Sequence, residues 1–322
     1  MCTAFGINLS DRFFGRNLDL CGHFGEQTVL TPRNFVWESR REGMQKTRYA
    51  MIGMASIEKN FPLYAEAVNE KGLGVAGLNF VGNAVFSDQS VNGKQNVATF
   101  ELILWLLGSC ASIEEAAKSL DLLHLTNDCF RSDLPPAALH WIISDGVRSL
   151  TLESTKKGMA VYENRCMTLT NNPPFPFQVA AWLKMPDCVE FRQELNFDRE
   201  LDFCADTLGE ECAVIPGGYT STDRFLRTAW LLRHTKSAGS VDRDLAACFQ
   251  ILDTVAPIYG CVRETNGSTH YTVYSVCANL SKGIFYWKGA ESPQVISIAF
   301  SDMDLNAAKL KTIDPYTLIR KH

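Results

Sequence analysis

Apolar and polar positions alternate with a period of two over much of the first third of the chain, the spacing of strands. Cys2–Asn8 and Phe13–Leu18 flank the turn pair Ser10 and Asp11 and are predicted to form a hairpin. Ala65–Val68 and Leu73–Phe80 flank Asn69, Glu70, Lys71 and Gly72, a second hairpin in which glycine supplies the positive φ of a tight turn. The period then lengthens. Thr99–Leu107 is apolar nearly all round, as in a buried helix, and Ser112 with Glu115 three residues later forms a capping box opening a helix to about Leu122. Leu139–Asp145 and Ser149–Glu153 read as a strand pair around Gly146. Ser221 or Thr222 can cap a helix to about His234, with Phe225, Thr228, Ala229 and Leu232 on one face, and Val241–Thr254 is a further amphipathic helix. Strands near Tyr271–Ala278, Gly283–Trp287 and Val295–Ala299 close the chain. Strands come in adjacent pairs and so do helices, which favours antiparallel sheets with helices packed outside over a doubly wound parallel sheet. No repeat or long Pro/Gly/Ser linker divides the chain, so a single domain over residues 2–322 is expected.

Composition narrows the function classes. The 322 residues are 46% hydrophobic and 21% charged, enough to fill a sizeable core. Thirty-one Lys and Arg against 36 Asp and Glu leave a net charge of −5, without the basic surplus a nucleic-acid partner or an anionic membrane surface calls for. The longest apolar run, Leu102–Leu107, is far below the roughly 18 residues of a spanning helix. Asn8, Ser10, Asp11 and Arg12 interrupt any secretory leader, so the expected location is the cytoplasm, where the sequons at Asn8, Asn266 and Asn279 carry no meaning. The 11 cysteines then read as reduced thiols, and without a Cys-x-x-Cys or a zinc-type Cys/His spacing no metal site and no cofactor are expected.

The candidate chemistry begins at Cys2. Initiator methionine is normally removed when the next side chain is small, and loss of Met1 would leave a thiol and a free α-amine on one residue. An α-amine has an ordinary pKa of about 7.7–8.0, so it can accept the thiol proton without a histidine. The plainer reading of Cys2 is a small residue in a first strand. Arg16 and Asp19 lie about one hairpin away: a guanidinium beside the thiol favours thiolate, and a carboxylate beside the amine orients it. Residues three apart on a strand face opposite ways, so both reach Cys2 only if a bulge or turn follows Arg16; otherwise they form a solvated pair on a strand edge. The strand Gly72–Phe80 holds three glycines, which invites close approach of a backbone or ligand, and Thr170–Pro174 is a tight polar segment. Asn79 or Asn171 can aim an N–H at an oxyanion, unless Asn171, like its neighbour Asn172, serves only turn geometry. Arg224 sits in a first helical turn, where the helix dipole does not favour it; it either backs an active site or lies at the surface.

Taken together, Met-Cys-Thr at the start, Phe-Gly-Arg-Asn-Leu-Asp at 14–19, Asn-Glu-Lys-Gly-Leu-Gly-Val-Ala-Gly-Leu-Asn-Phe at 69–80, Leu-His-Trp at 139–141, Leu-Thr-Asn at 169–171 and Asp-Arg-Phe at 223–225 resemble the choloylglycine hydrolases. That family of bile salt hydrolases and penicillin V acylases belongs to the N-terminal-nucleophile superfamily. The resemblance implies an α+β fold, a four-layer αββα sandwich of two antiparallel sheets flanked by helices. It implies Cys2 as nucleophile and its amine as base, Arg16 and Asp19 tuning them, Asn171 and the Asn79 N–H forming the oxyanion hole, and Arg224 completing the set. It further implies a homotetramer and conjugated bile salts as substrate, split into steroid acid and glycine or taurine. Leu18, Leu20, Phe24, Phe61 and the run Ala137, Ala138, Leu139 are candidate walls of an apolar cleft, if they are not simply core or exposed apolar residues. Asn79, where penicillin acylases of the family often carry tyrosine, favours the bile salt branch over the penicillin V acylase alternative. A non-catalytic steroid-binding relative that keeps Met1 is the rival of a different class, and a thiol-rich redox or metal protein a third.

Overall fold

A computed structural model describes residues 1–185 and 214–319. The chain opens with strands β1 (Cys2–Asn8), β2 (Arg12–Leu20), β3 (Gln27–Thr31), β4 (Val36–Ser39), β5 (Gly43–Lys46) and β6 (Met51–Glu58). Then come β7 (Phe61–Asn69), β8 (Gly74–Asn79), β9 (Gln95–Ala98), and helices α1 (Leu102–Ser109) and α2 (Ile113–Leu122). Next are β10 (Leu123–Thr126), β11 (Leu139–Ser144), β12 (Ser149–Thr155), β13 (Gly158–Glu163), β14 (Thr168–Leu169) and α3 (Phe175–Trp182). Helices α4 (Ser221–His234) and α5 (Val241–Thr254) lead into β15 (Val262–Arg263), β16 (Thr269–Asn279), β17 (Ile284–Gly289) and β18 (Val295–Ala299). β19 (Lys311–Ile313) and α6 (Pro315–Ile319) end the described chain.

Two antiparallel sheets carry the molecule. One runs β14-β1-β2-β16-β17-β18 with β15 beside β16; the other runs β13-β12-β11-β8-β7-β6-β3-β19. Cys2, Ala4, Phe14 and Leu18 from the first meet Ile52, Ala76, Leu78 and Ile142 from the second in one apolar layer between them. Outside the first sheet, Phe5, Ile7 and Phe13 pack on Cys248, Phe249 and Leu252 of α5. Outside the second, Val75, Trp141 and Leu152 pack on Leu102, Leu106, Ile113 and Leu120 of α1 and α2. The order is therefore helices, sheet, sheet, helices, the four-layer sandwich that the resemblance implied. Strands near its centre are covered on both faces, which is why β1 and β2 are buried at nearly every position. No helix among the described residues is long and apolar enough to cross a membrane.

Local signals mostly landed where expected. Ser112 accepts from the Glu115 N–H as an N-cap should, though the Glu115 carboxylate reaches back to Ala111 N–H rather than to Ser112. The cap of α4 is Thr220, one residue before the expected Ser221, and it accepts from Asp223 N–H. Gly72 has φ of +85° in the β7–β8 turn. The glycines of β8 are explained by packing rather than by a ligand: a Cβ on Gly74 would stand 2.8 Å from the Phe14 ring, and one on Gly77 3.1 Å from Leu139 and Trp141.

Charge also enters the layer between the sheets. Arg16 on β2, 1% exposed, pairs through Nη1 with Glu66 on β7, itself 1% exposed. Tyr274 on β16 donates its hydroxyl to Glu66 over 3.1 Å and accepts from Arg16 Nη1 over 3.1 Å. Removing one partner of such a pair strands a charge in low dielectric, so each sheet constrains the other here. Burial pushes the Glu66 carboxyl up to about 7, against the pull of Arg16 and the Tyr274 hydrogen bond.

A carboxyl that ionises at higher pH when folded than when unfolded contributes its stability in acid and loses it as pH climbs towards about 7. Glu66→Gln abolishes that dependence. The stability of the parent relative to this variant, taken from urea midpoints between pH 5 and 8, should fall with pH up to about 7 and level off above it. A difference that stays constant across the window would contradict the assignment.

Candidate active site

The β1–β2 ladder sets Cys2 opposite Leu18 and Ala4 opposite Arg16. Arg16 thereby shares the inner face with Cys2, and its Nη2 lies 3.6 Å from Cys2 Sγ while donating to the Gly77 carbonyl over 3.0 Å. Cys2 is 3% exposed with Met1 still in front of it.

On the other edge of β1, β14 pairs Ala4 with Leu169 and Phe5 with Thr168. Carried two residues further, that register brings Asn171 level with Cys2. Cys2 N–H donates to Asn171 Oδ1 over 2.7 Å. Arg224, fully buried on α4, donates Nη2 to the same oxygen over 2.8 Å, and Nη1 to the Cys2 carbonyl and to Thr3 Oγ1. Burial holds the Arg224 guanidinium below its ordinary value, with Asp19 and Cys2 pulling the other way. Asn171 Nδ2 donates to the Asn79 carbonyl over 2.8 Å, which leaves its second N–H for another acceptor.

Asn79 sits at the open end of β8. Phe80 N–H donates to the Ala138 carbonyl, so the Asn79–Leu139 pair is the non-hydrogen-bonded kind and the backbone groups of Asn79 turn to the opposite edge. On that edge the registered pairing with β7 stops at Glu66 opposite Ala76. Arg16 and Asn171 take the Gly77 and Asn79 carbonyls there, and the Asn79 N–H faces the same opening.

Asp19 departs from expectation. β2 pairs with β1 without a bulge, so Asp19 keeps the face opposite to Arg16; the register shift lies instead on β16, between Thr272 and Tyr274. Neither residue is a solvated edge charge: Arg16 and Asp19 are 1% and 0% exposed. Asp19 Oδ1 accepts from Thr272 Oγ1 over 2.7 Å, and its buried Oδ2 has no partner among the described residues. The Asp19 carbonyl accepts from the Met1 amine over 2.8 Å. Burial raises the Asp19 carboxyl, opposed by Arg224 and the chain's N-terminal charge.

Glu66, Tyr274 and Thr3, which hold Arg16 and Arg224, escaped the sequence reading. One signal was there for Glu66: a lone carboxylate in the apolar strand Tyr64–Val68 needs a buried cation. A cavity of about 380 Å³ at the end of β8 and β11 is walled by Phe24, Leu63, Phe100, Phe130, Ala137 and Leu139 among others. Leu139 pairs with Asn79, and the lining residue Ala65 adjoins Glu66. Leu18, Leu20, Phe61 and Ala138 are not among the lining residues. Leu18 is 5% exposed in the inter-sheet layer, against which Leu20 packs, while Phe61 stands behind the rings of Phe100 and Phe130. A larger cavity, about 720 Å³, lies over Tyr271–Ser275 and is rimmed by Asp253, Lys288 and Glu291. The smaller one, with aromatic walls and with Leu139 paired to Asn79, is the better match to an apolar substrate.

A thiol beside a guanidinium, next to amide donors and a buried arginine, is equipped for acyl transfer. The family of linear amide C–N hydrolases known as the choloylglycine hydrolase family matches residues 2–313. A bile salt hydrolase/transferase of Lactiplantibacillus plantarum is 33% identical over 310 residues, 96% of this chain and 95% of its own. The crystal structure of a mutant conjugated bile acid hydrolase of Clostridium perfringens superposes with a TM-score of 0.85 at 29% identity, covering 98% of this chain and 97% of that one. A penicillin V acylase of Agrobacterium tumefaciens shares the fold, with a TM-score of 0.76 at 18% identity, over 97% of this chain and 91% of its own. The chain is thus a member of the choloylglycine hydrolase family, the linear amide C–N hydrolases.

Proposed function

We propose that this chain hydrolyses the amide bond of glycine- or taurine-conjugated bile salts, with Cys2 as an N-terminal nucleophile once Met1 is removed. The observation that carries the reading is the convergence on one residue of the Arg16 guanidinium at its sulfur and Asn171 and Arg224 at its backbone. With Met1 gone, Cys2 N becomes an amine 2.7 Å from Asn171 Oδ1. The amine takes the proton from Sγ, and the thiolate beside Arg16 attacks the amide carbon. The oxyanion is met by the free N–H of Asn171 Nδ2 and the Asn79 N–H. The protonated amine delivers its proton to the leaving glycine or taurine nitrogen as the C–N bond breaks. Water then cleaves the thioester, releasing the steroid acid and restoring the thiol. Asp19, whose Oδ2 lacks a partner, orients the amine from the side that Met1 occupies.

Several relatives of about the same length support the substrate, among them a bile salt hydrolase/transferase of Clostridium perfringens, 32% identical over 319 residues. Phe24, Phe100, Phe130 and Leu139 offer the apolar wall a rigid steroid needs. With this reading go one catalytic unit over residues 2–322, a cytoplasmic location with its thiols reduced, and a homotetramer. Penicillin V hydrolysis is the second reading, disfavoured by asparagine rather than tyrosine at position 79.

Incubation with glycocholate, taurocholate and penicillin V side by side should release glycine or taurine faster than the penicillin side chain; the reverse order would move the chain to the acylase branch. Cys2→Ser should abolish or nearly abolish release while leaving thermal unfolding unchanged, and full activity in that variant would remove Cys2 from the reaction. The intact mass of purified active protein should lack Met1. Retention of that methionine in active protein would eliminate the mechanism, whereas inactive protein that keeps Met1 and binds the steroid would favour the steroid-binding rival.

A further inference from the structure

His140 and Glu153, both buried on neighbouring strands β11 and β12, take no part in the chemistry above. His140 Nδ1 lies 2.9 Å from Glu153 Oε1, and His140 Nε2 lies 2.9 Å from the Thr170 carbonyl. The imidazole is stacked on Phe80, ring centres 4.2 Å apart and planes 5° apart, so it cannot swing away. A carbonyl only accepts, so Nε2 carries a proton and donates it to Thr170. Phe175 N–H donates to that same Glu153 oxygen over 2.9 Å, which holds the carboxyl group beside Nδ1.

The Thr170 carbonyl belongs to the peptide that leads into Asn171. The N–H of that peptide donates to Ser221 Oγ over 2.8 Å, and the carbonyl of Asn171 accepts from Gln178 Nε2. Both peptide planes flanking Asn171 are therefore held by side chains from β11, α3 and α4, all buried except the half-buried Ser221. An amide side chain that must serve Cys2 N, Arg224 and the Asn79 carbonyl at once tolerates little rotation of its backbone.

We propose that His140, fixed by Glu153, is a positioning residue for Asn171: it locks the Thr170–Asn171 peptide so that Nδ2 meets the oxyanion. This rests on the reading of Asn171 as an oxyanion donor. It assigns the histidine of the Leu-His-Trp run a role that the sequence did not suggest.

The test compares two amide replacements of His140. In His140→Gln the side-chain amide nitrogen falls near the place of Nε2 and keeps the donation to Thr170; in His140→Asn it falls short. For glycocholate hydrolysis, His140→Asn should lower kcat about 10–100-fold, part of what one oxyanion donor contributes, with KM within about twofold, while His140→Gln stays within about threefold of wild type. Iodoacetamide labelling of Cys2 and removal of Met1 should be unchanged in both. Equal losses in the two variants, or a loss confined to KM, would overturn the proposal. Crystal structures of the two variants supply a readout free of any substrate assignment. Asn171 Nδ2 should leave the Asn79 carbonyl in His140→Asn and stay on it in His140→Gln, and an unmoved Asn171 in His140→Asn would overturn the proposal whatever the substrate.

Discussion

A guanidinium buried between two sheets has to find acceptors on both, and that requirement organises the middle of this molecule. Arg16 rises from β2 and is met by Glu66 of the opposite sheet, Tyr274 of its own, and the Gly77 carbonyl at the open end of β8. The same Nη2 that donates to the Gly77 carbonyl also lies 3.6 Å from Cys2 Sγ. Burial disfavours the charge, yet Glu66, Tyr274 and Cys2 together hold Arg16 above its ordinary value. The cation beside the sulfur is thus fixed by the same pair that ties one sheet to the other.

Asn171 is the second organising point. Its side chain uses both ends, accepting from Cys2 N and Arg224 and donating to Asn79, while its backbone is held from His140, Ser221 and Gln178. The segment lies outside regular structure, yet its position is set by elements of both sheets and two helices. Such a loop on a rigid frame is where catalytic geometry is commonly kept.

The elements most legible in the sequence were those with explicit local chemistry. The β7–β8 turn was readable because Asn69 Oδ1 accepts from the N–H groups of Lys71 and Leu73 while Gly72 takes the left-handed conformation. Cys2, Arg16, Asn79, Asn171 and Arg224 were readable as candidates because each is a polar or reactive residue in an apolar context or at a turn. Their mutual arrangement was not. β2 lacks the bulge after Arg16 that would have turned Arg16 and Asp19 to one face, and only tertiary pairing with β16 reveals that Thr272 takes Oδ1 of the Asp19 carboxylate. Of the candidate wall residues, Phe24, Ala137 and Leu139 border the cavity of about 380 Å³, on irregular segments and a strand end. Leu18 and Phe61 pack in the core instead, because an apolar residue carries no mark of whether it faces a core or a cleft.

The account turns on an acyl group passing through the sulfur of Cys2. Rapid acid quench of the enzyme during glycocholate turnover, followed by intact-mass and peptide mapping, tests this directly. A cholyl adduct on the N-terminal peptide, bound as a hydroxylamine-labile thioester to a Cys2 whose amine is free, is the predicted result. An adduct mapped to any other residue, or steady turnover by protein whose Cys2 is blocked, would contradict it.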